Sequence, residues 1–242
     1  MITHERGYLI PAFDTAEVCY TQLAQQLADS IRSFHAKAEI KILTNADLPD
    51  SELTGQALDS FVYQLSPFRQ TIKLEADMII ASPIDHWWSM LQHRDVVVST
   101  GCRDFYDHLV QTRFYRKIFD NNNLPDVYNA ITYWRVSRTA KEFFSLVKNI
   151  FAYWGDYKKL LKFPDLEPTT DVVYAIAAKI VGPELVTMPF ASYPKIVHMK
   201  KHCVPIRSED WTKELVWEVN PLRIQTQVQW GAFHYVNKTW RP

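Results

Sequence analysis

The sequence predicts an α/β fold, with a mixed, mainly parallel β-sheet flanked by helices. Its 242 residues suit one large domain spanning 1–242, and a 47% hydrophobic, 14% aromatic composition is typical of a folded globular protein. The amino-terminal 45 residues alternate between strand-like and helix-like apolar patterns. A strand, helix and strand in this order favour parallel strands joined by a right-handed crossover.

The first elements follow from local periodicity. Residues 7–13 form a short apolar strand, apolar residues four apart over 23–31 mark a helix, and residues 39–44 alternate into a second strand. Parallel sheets bind ligands beyond the carboxyl ends of their strands. The residues predicted at this edge after the first strand are Pro11, Ala12, Phe13 and Asp14.

The remaining elements are assigned in the same way. Further strands are predicted at 61–65, 95–99 and 129–136, and the run 71–80 contains another short apolar strand with Glu75 and Asp77 at its exit. A capping box at 139–142 begins one helix, with Phe143, Val147, Ile150, Phe151 and Trp154 along one face. Thr169-Thr170-Asp171 begins another, with Val172, Val173, Ile176 and Ile180 facing inward. Residues 101–127 are polar and irregular, which predicts a substrate-facing lid.

Charge, glycine and cysteine content exclude several classes of protein. Lys plus Arg (27) equals Asp plus Glu (27), so no overall charge attracts nucleic acid or a membrane. The six glycines form neither a dinucleotide-binding fingerprint nor a phosphate-binding P-loop, which favours phosphate binding through a metal. Three dispersed cysteines and the absence of a long apolar stretch predict a soluble cytoplasmic protein with no membrane partner.

The candidate site begins with Glu75-Ala76-Asp77. Two carboxylates at the exit of an apolar strand can hold a hard divalent cation such as Mn²⁺ or Mg²⁺, with positions free for a diphosphate. Near the carboxyl terminus, His234 precedes Lys238 by four residues. We predict that Glu75, Asp77 and His234 bind the metal and that Lys238 neutralises the diphosphate. The alternatives are solvated acids, a packed histidine and an exposed lysine.

These motifs resemble the GT-A fold glycosyltransferases, especially the glycogenin-like family 8 enzymes. That family carries Asp-x-Asp after a strand and a carboxyl-terminal His-x-x-Gly-x-x-Lys-Pro-Trp. In this chain Glu75 replaces the first Asp, and residues 234–240 lack the Gly and shorten the His-to-Lys spacing. The resemblance implies a single GT-A-like domain with a nucleotide-binding half (1–100), then an acceptor half and a tail (101–242).

The same resemblance implies roles for other residues. Asp171 is similar to an acid that faces the sugar, and Asn129 to an amide that contacts the donor sugar, so with Lys238 they are the candidate catalytic residues. A helix-dipole role for Asp171 and a turn cap for Asn129 are the alternatives. The residues expected to bind a nucleotide-diphosphate sugar, with UDP-sugar favoured, are Pro11, Ala12, Phe13, Asp14, Lys73, Ala76 and Lys238.

The acceptor is suggested by a second resemblance. Residues 66–88 look like small glycosyltransferases encoded by large tailed phages, which implies a hydroxymethylated base in phage DNA as acceptor and the host cytoplasm as location. The segment 195–207 carries four positive charges and no acid, so it is the expected DNA contact, with a solvated basic surface as the alternative. A glycan or protein acceptor, a sugar-phosphate nucleotidyltransferase and a non-catalytic nucleic-acid-binding protein remain open.

Overall fold

A computed structural model gives the arrangement of most of the chain. The described residues are 2–49, 53–101, 116–164, 167–188, 194, 196–198, 204–206, 214–220, 223–228 and 231–234. Lys238 and most of the basic segment 195–207 therefore lie outside the described residues, as do residues 102–115 of the predicted lid.

The elements are as follows. The strands are β1 (His4–Pro11), β2 (Ile40–Leu43), β3 (Phe68–Leu74), β4 (Met78–Ile80), β5 (Val96–Thr100), β6 (Val127–Arg135), β7 (Ile196–His198), β8 (Val204–Ile206), β9 (Glu214–Asn220), β10 (Arg223–Val228) and β11 (Ala232–His234). The α-helices are α1 (Tyr20–Phe34), α2 (Val62–Leu65), α3 (His86–Leu91), α4 (Arg116–Asn121), α5 (Arg138–Ala152), α6 (Trp154–Leu161), α7 (Thr170–Val181) and α8 (Pro183–Val186). Two 3₁₀ helices span Asn45–Asp47 and Gly55–Phe61.

The central sheet has the strand order β2-β1-β3-β6-β5. Strand β1 is parallel to both β2 and β3, whereas β6 is antiparallel to both β3 and β5. Four strands therefore run in one direction and β6 runs against them. This arrangement confirms the predicted mixed, mainly parallel sheet, and α1 provides the expected crossover between β1 and β2.

Helices cover both faces of the central sheet. On one face, the apolar side of α1 and the two tryptophans of α3 pack against Tyr8 and Ile10. On the other face, α5 and α7 pack against Leu9 and the strands β5 and β6. Eight of the nine residues of β6 are buried, as expected for a strand covered on both sides.

Two smaller sheets complete the described part. Strands β8, β9 and β10 form an antiparallel sheet, and β11 lies between β4 and β7. In the register of β11 with β4, His234 lies opposite Met78. This pairing brings a residue near the carboxyl terminus beside the strand that follows Glu75 and Asp77.

Four predictions about elements are wrong. Residues 61–65 are helical rather than a strand, because the 3₁₀ helix ends at Phe61 and α2 closes with a bond from Ser66 N to Val62 O. The cap of α5 is Ser137, whose side chain accepts from Ala140 N, rather than a box starting at Thr139. Trp154 is buried but belongs to α6, and Ile180 is 52% exposed.

No helix within the described ranges is both long and apolar enough to cross a membrane.

Candidate metal centre and cleft

A cleft of about 700 Å³ opens where β1 and β3 end. Strand β6 begins at the same edge because it is antiparallel to β3, and α7 presents its amino-terminal turn there. The cleft therefore lies where parallel sheets generally bind ligands. Nine of the twelve residues predicted for the site line it: Pro11, Phe13, Asp14, Lys73, Glu75, Ala76, Asp77, Asp171 and His234.

The structure places Ala12 and Asn129 in the protein interior. Ala12 is fully buried, and its backbone N–H donates to the carbonyl of Leu43, so it belongs to the sheet and its core. Asn129 is also fully buried and is not among the lining residues. Lys238 lies outside the described residues, and its role stays a prediction.

The three proposed metal ligands come together beyond the carboxyl end of β3. His234 Nε2 lies 3.2 Å from Glu75 Oε2 and 3.1 Å from Asp77 Oδ2. One candidate ligand atom from each residue lies within 4.8 Å of the others. Asp77 and His234 are buried and Glu75 is partly exposed, and all three line the cleft.

Local backbone structure fixes this geometry. The Glu75 N–H donates to the carbonyl of Ala130, extending the contact between β3 and β6 by one residue. Ala76 is buried in the core between the two acids. Ala76 and Asp77 form the turn between β3 and β4, and this turn lies at the cleft, which Glu75, Ala76 and Asp77 all line.

Tyr128 contacts His234 on the side of the ring away from the two carboxylates. Its hydroxyl lies 2.5 Å from His234 Nδ1, and the two rings meet edge to face at 5.7 Å. A His234 ring that keeps its Nε2 lone pair for a cation carries its proton on Nδ1 and donates it to Tyr128. Such outer contacts fix the orientation of a metal-binding imidazole.

The donor atoms fit a divalent cation. Two carboxylates and one imidazole supply two oxygens and one nitrogen, a set that suits Mn²⁺ or Mg²⁺ with further positions left for oxygen ligands. The neighbouring Tyr20 also lines the cleft, where burial and then the charge of Glu75 raise its pKa. At neutral pH Tyr20 therefore offers a hydroxyl donor beside the acids.

Asp171 lies at the start of α7, where Thr169 caps the helix by accepting from Val172 N. Its Oδ1 accepts a 2.8 Å hydrogen bond from the backbone N–H of Asn129. The Asn129 side chain accepts from Thr132, and its Nδ2 has no hydrogen-bond partner among the described residues. Asn129 thus positions Asp171 through its backbone, and contact of its side chain with a sugar stays a prediction.

Asp14 stabilises the loop between β1 and α1. Its Oδ1 accepts from Thr21 N at 2.8 Å and its Oδ2 from the Thr21 hydroxyl at 3.0 Å, which satisfies a free N–H in the first turn of α1. The Asp14 N–H donates to Asn45 Oδ1. These contacts hold the loop against the cleft, and its contact with a nucleotide stays a prediction.

An ion pair in the cleft wall was not anticipated from sequence. Lys73 Nζ lies 2.8 and 3.0 Å from the two carboxylate oxygens of Asp59, and the Tyr174 hydroxyl donates to Asp59 Oδ2 at 2.5 Å. Asp59 lies on the 3₁₀ helix Gly55–Phe61, fourteen residues before Lys73. No spacing rule links the two positions, so only the folded chain reveals the pair.

Comparison with known proteins identifies the fold. No protein-family model and no curated protein sequence matches the chain. The apo structure of mouse xyloside xylosyltransferase 1 is similar with a TM-score of 0.52 at 9% identity, covering 99% of this chain and 100% of that one. The apo bifunctional glycosyltransferase WbbM gives 0.50 at 11% identity, covering 80% of this chain. The match spans only 40% of the WbbM chain.

At such identities the likeness concerns the fold alone. The chain has an α/β fold with a mixed, mostly parallel central sheet, similar to the GT-A domains of glycosyltransferases. Activity, donor and acceptor are questions for the site and its chemistry.

Proposed function

We propose that the protein is a metal-dependent glycosyltransferase, which moves a sugar from a nucleotide-diphosphate sugar to a hydroxyl group. The observation that carries this proposal is the convergence of Glu75, Asp77 and His234 at the cleft. Two of these residues are separated in sequence by one alanine, and the third comes from a strand more than 150 residues later. The GT-A-like fold supports the proposal because the cluster lies at the ligand-binding edge of the sheet.

Different residues of the chain would bind the metal, the sugar, the diphosphate and the nucleotide. Glu75, Asp77 and His234 would hold the cation, which when bound would stabilise the negative charge of the departing diphosphate. Asp171, fixed by the Asn129 N–H, would face the sugar from the start of α7. Lys238 is proposed to contact the same diphosphate, as its sequence position suggested. The nucleotide would lie along Pro11, Phe13 and Asp14 of the loop after β1.

For the acceptor we keep the proposal of a hydroxymethylated base in phage DNA, with a glycan or protein hydroxyl as the alternative. The support is the positive charge of segment 195–207 in a chain without net charge. Changing Lys200 and Lys201 to Ala should flatten the dependence of log K on log salt by about 1.8 on duplex DNA. Filter binding over a salt series measures it, and an unchanged slope would favour the alternative acceptors.

A binding and hydrolysis experiment tests the main proposal. Purified protein is screened by thermal shift against nucleotide sugars with Mn²⁺ or with EDTA. A ligand at 100 times its Kd should add about 2.7 kcal/mol of stability, and only when Mn²⁺ is present. Slow Mn²⁺-dependent release of nucleoside diphosphate should accompany binding. Pyrophosphate release from a nucleoside triphosphate and a sugar phosphate would instead identify a nucleotidyltransferase, and no nucleotide binding at all would contradict the proposal.

A further inference from the structure

The wall of the cleft contains a buried pair of opposite charges. Lys73 and Asp59 both line the cleft, although the Lys73 side chain is only 2% exposed and that of Asp59 only 10%. Tyr174, which is fully buried, contacts both partners: its hydroxyl bonds Asp59, and its ring lies 5.2 Å from Lys73 Nζ. Tyr174 therefore fixes the pair on its buried side, and Lys73 and Asp59 are accessible from the cleft only through a small exposed edge.

Each member of the pair keeps hydrogen-bonding capacity. An ammonium has three N–H donors, and among the described residues those of Lys73 bond only to the two oxygens of Asp59. A carboxylate has about four acceptor positions, and Asp59 uses one for each Lys73 contact and one for Tyr174. About one donor and one acceptor remain side by side. A hydroxyl group can both donate and accept a hydrogen bond, so it matches this remaining donor and acceptor.

The charge of the pair disfavours a phosphate. Asp59 neutralises Lys73 at hydrogen-bonding distance, so a phosphate approaching the ammonium would also meet a carboxylate. Burial and then the negative charge of Asp59 raise the pKa of Tyr174 well above its ordinary value, so its hydroxyl stays protonated and donates to the carboxylate. Asp59 is thereby kept as an acceptor, and the edge suits a neutral, hydroxylated group.

The position of the pair relates it to the metal centre. Lys73 lies in β3 and Glu75 directly follows the last residue of this strand, so the two positions are about 7 Å apart along the chain, and both residues line the cleft. A sugar linked to a diphosphate at Glu75 and Asp77 would extend over a distance of this order. The two clusters would then bind the two parts of one donor molecule.

We propose that Lys73 and Asp59 form a subsite that binds hydroxyl groups of the donor sugar, with Tyr174 as the residue that positions Asp59. The subsite rests on the proposed function, since it presupposes a nucleotide-sugar donor. The sequence analysis expects Lys73 to bind a nucleotide-diphosphate sugar without saying which part of it, and the subsite assigns this residue to the sugar alone.

The test compares a nucleotide with and without its sugar. Uridine diphosphate and the tightest-binding uridine-diphosphate sugar, chosen among the glucose, galactose, xylose and N-acetylglucosamine derivatives, are titrated calorimetrically with Mn²⁺. In Asp59→Asn and Lys73→Met, the Kd of the nucleotide sugar should rise about tenfold or more, because a hydrogen bond to a charged group is lost. The Kd of uridine diphosphate should change less than about twofold.

Two further variants serve as controls. Asp47→Asn alters the Lys41–Asp47 ion pair, whose residues do not line the cleft, and should change neither Kd. Tyr174→Phe removes only the hydroxyl behind Asp59, so it should weaken sugar binding about threefold without affecting uridine diphosphate. It also provides the test if Asp59→Asn and Lys73→Met do not fold, as judged by circular dichroism.

The outcomes separate the subsite from the proposed function. Equal weakening of both ligands would assign the pair to the phosphates, and unchanged binding of both would make it a structural ion pair; either result overturns the subsite. The same holds if the wild type binds uridine diphosphate as tightly as every sugar derivative, although the metal-nucleotide site would then stand. A wild type that binds neither these ligands nor any other nucleotide sugar of the thermal-shift screen with Mn²⁺ would refute the proposed function, and the subsite with it.

Discussion

The cleft contains two polar clusters that differ in how their charge is balanced. At the end of β3, Glu75 and Asp77 bring two carboxylates within about 3 Å of one imidazole, so with a neutral His234 their formal charges sum to −2. The second cluster pairs Lys73, which lies two residues before Glu75, with Asp59, and the opposite charges of these two residues cancel. The first cluster gains from a bound cation, whereas the second is complete as a charge pair. Removing one member should therefore destabilise the protein in the case of the Lys73–Asp59 pair but not in the case of the carboxylate cluster.

The largest effect is expected in the balanced pair. Lys73→Met keeps most of the apolar stem but leaves the Asp59 carboxylate buried without its cation. Breaking a buried ion pair in this way costs about 3–5 kcal/mol of unfolding free energy. Lys41→Met breaks the partly exposed pair with Asp47 and should cost at most about 1 kcal/mol. Urea unfolding of both variants measures the contrast, and equal losses would show that burial of the Lys73–Asp59 pair does not matter.

Removing one of the proposed metal ligands should lower the activity of the protein without lowering its stability. Asp77→Asn is expected to lower Mn²⁺-dependent turnover about 100-fold, equivalent to about 2.7 kcal/mol, by removing a ligand. In EDTA its melting temperature should stay equal or rise, because one of two neighbouring carboxylates is gone. Glu75→Asp keeps the charge and should retain most activity. An Asp77→Asn protein with full turnover, or one destabilised in EDTA, would contradict this view of the cluster.

A smaller effect is expected from the residue behind the histidine. Tyr128→Phe removes the hydroxyl 2.5 Å from His234 Nδ1 and should weaken Mn²⁺ binding about tenfold. Electron paramagnetic resonance of free Mn²⁺ measures this affinity without any substrate. Tyr133→Phe is the matched control on the same strand, since its hydroxyl bonds Gln70. Equal Mn²⁺ affinity in all three proteins would show that His234 needs no support from Tyr128.

Elements with local signals were predictable from the sequence. The apolar spacing of Leu23, Leu27 and Ile31 located α1, and all three are buried. Thr169 was identified as the start of α7, where its side chain caps the helix as expected. Such features depend on neighbours within a few residues, so the sequence contains nearly all the information that determines them.

Short segments without such signals were not predictable. Residues 61–65 are apolar and aromatic, which suits a strand, but they complete a helical stretch because Phe61 and Val62 are buried against the core. At α5, Ser137 and Thr139 are both good caps, and only the backbone shows that Ser137 has the extended geometry. Local preference allows both choices, and tertiary packing selects one of them.

The candidate site shows the same division. The sequence indicated Glu75 and Asp77 because they follow an apolar strand, and His234 because it precedes Lys238 by four residues near the carboxyl terminus. It could not indicate Asp59, which meets Tyr174 across 115 positions of the chain. It also could not show that Asn129 is fully buried and is not among the residues that line the cleft, because a strand pattern does not reveal burial on both faces. The division into halves 1–100 and 101–242 stays a prediction.

The smallest effect tests whether burial or pairing determines the cost of losing a charge. Arg135 Nε lies 2.5 Å from Asp95 Oδ1, as close as any contact of the Lys73–Asp59 pair, but the Arg135 side chain is 48% exposed. Burial raises the pKa of Asp95. Hydrogen bonds from Arg135 and Ser137 lower this pKa by more, so its folded-state value lies below the ordinary one. The stabilisation is therefore present above the unfolded-state pKa of about 3.9 and is lost as the pH falls through the lower folded-state value. Asp95→Asn should cost at most about 1 kcal/mol at pH 7, and the difference from wild type should vanish in strong acid. Urea unfolding at a series of pH values measures this, and a loss at pH 7 as large as that of Lys73→Met would mean that pairing alone, without burial, determines the cost.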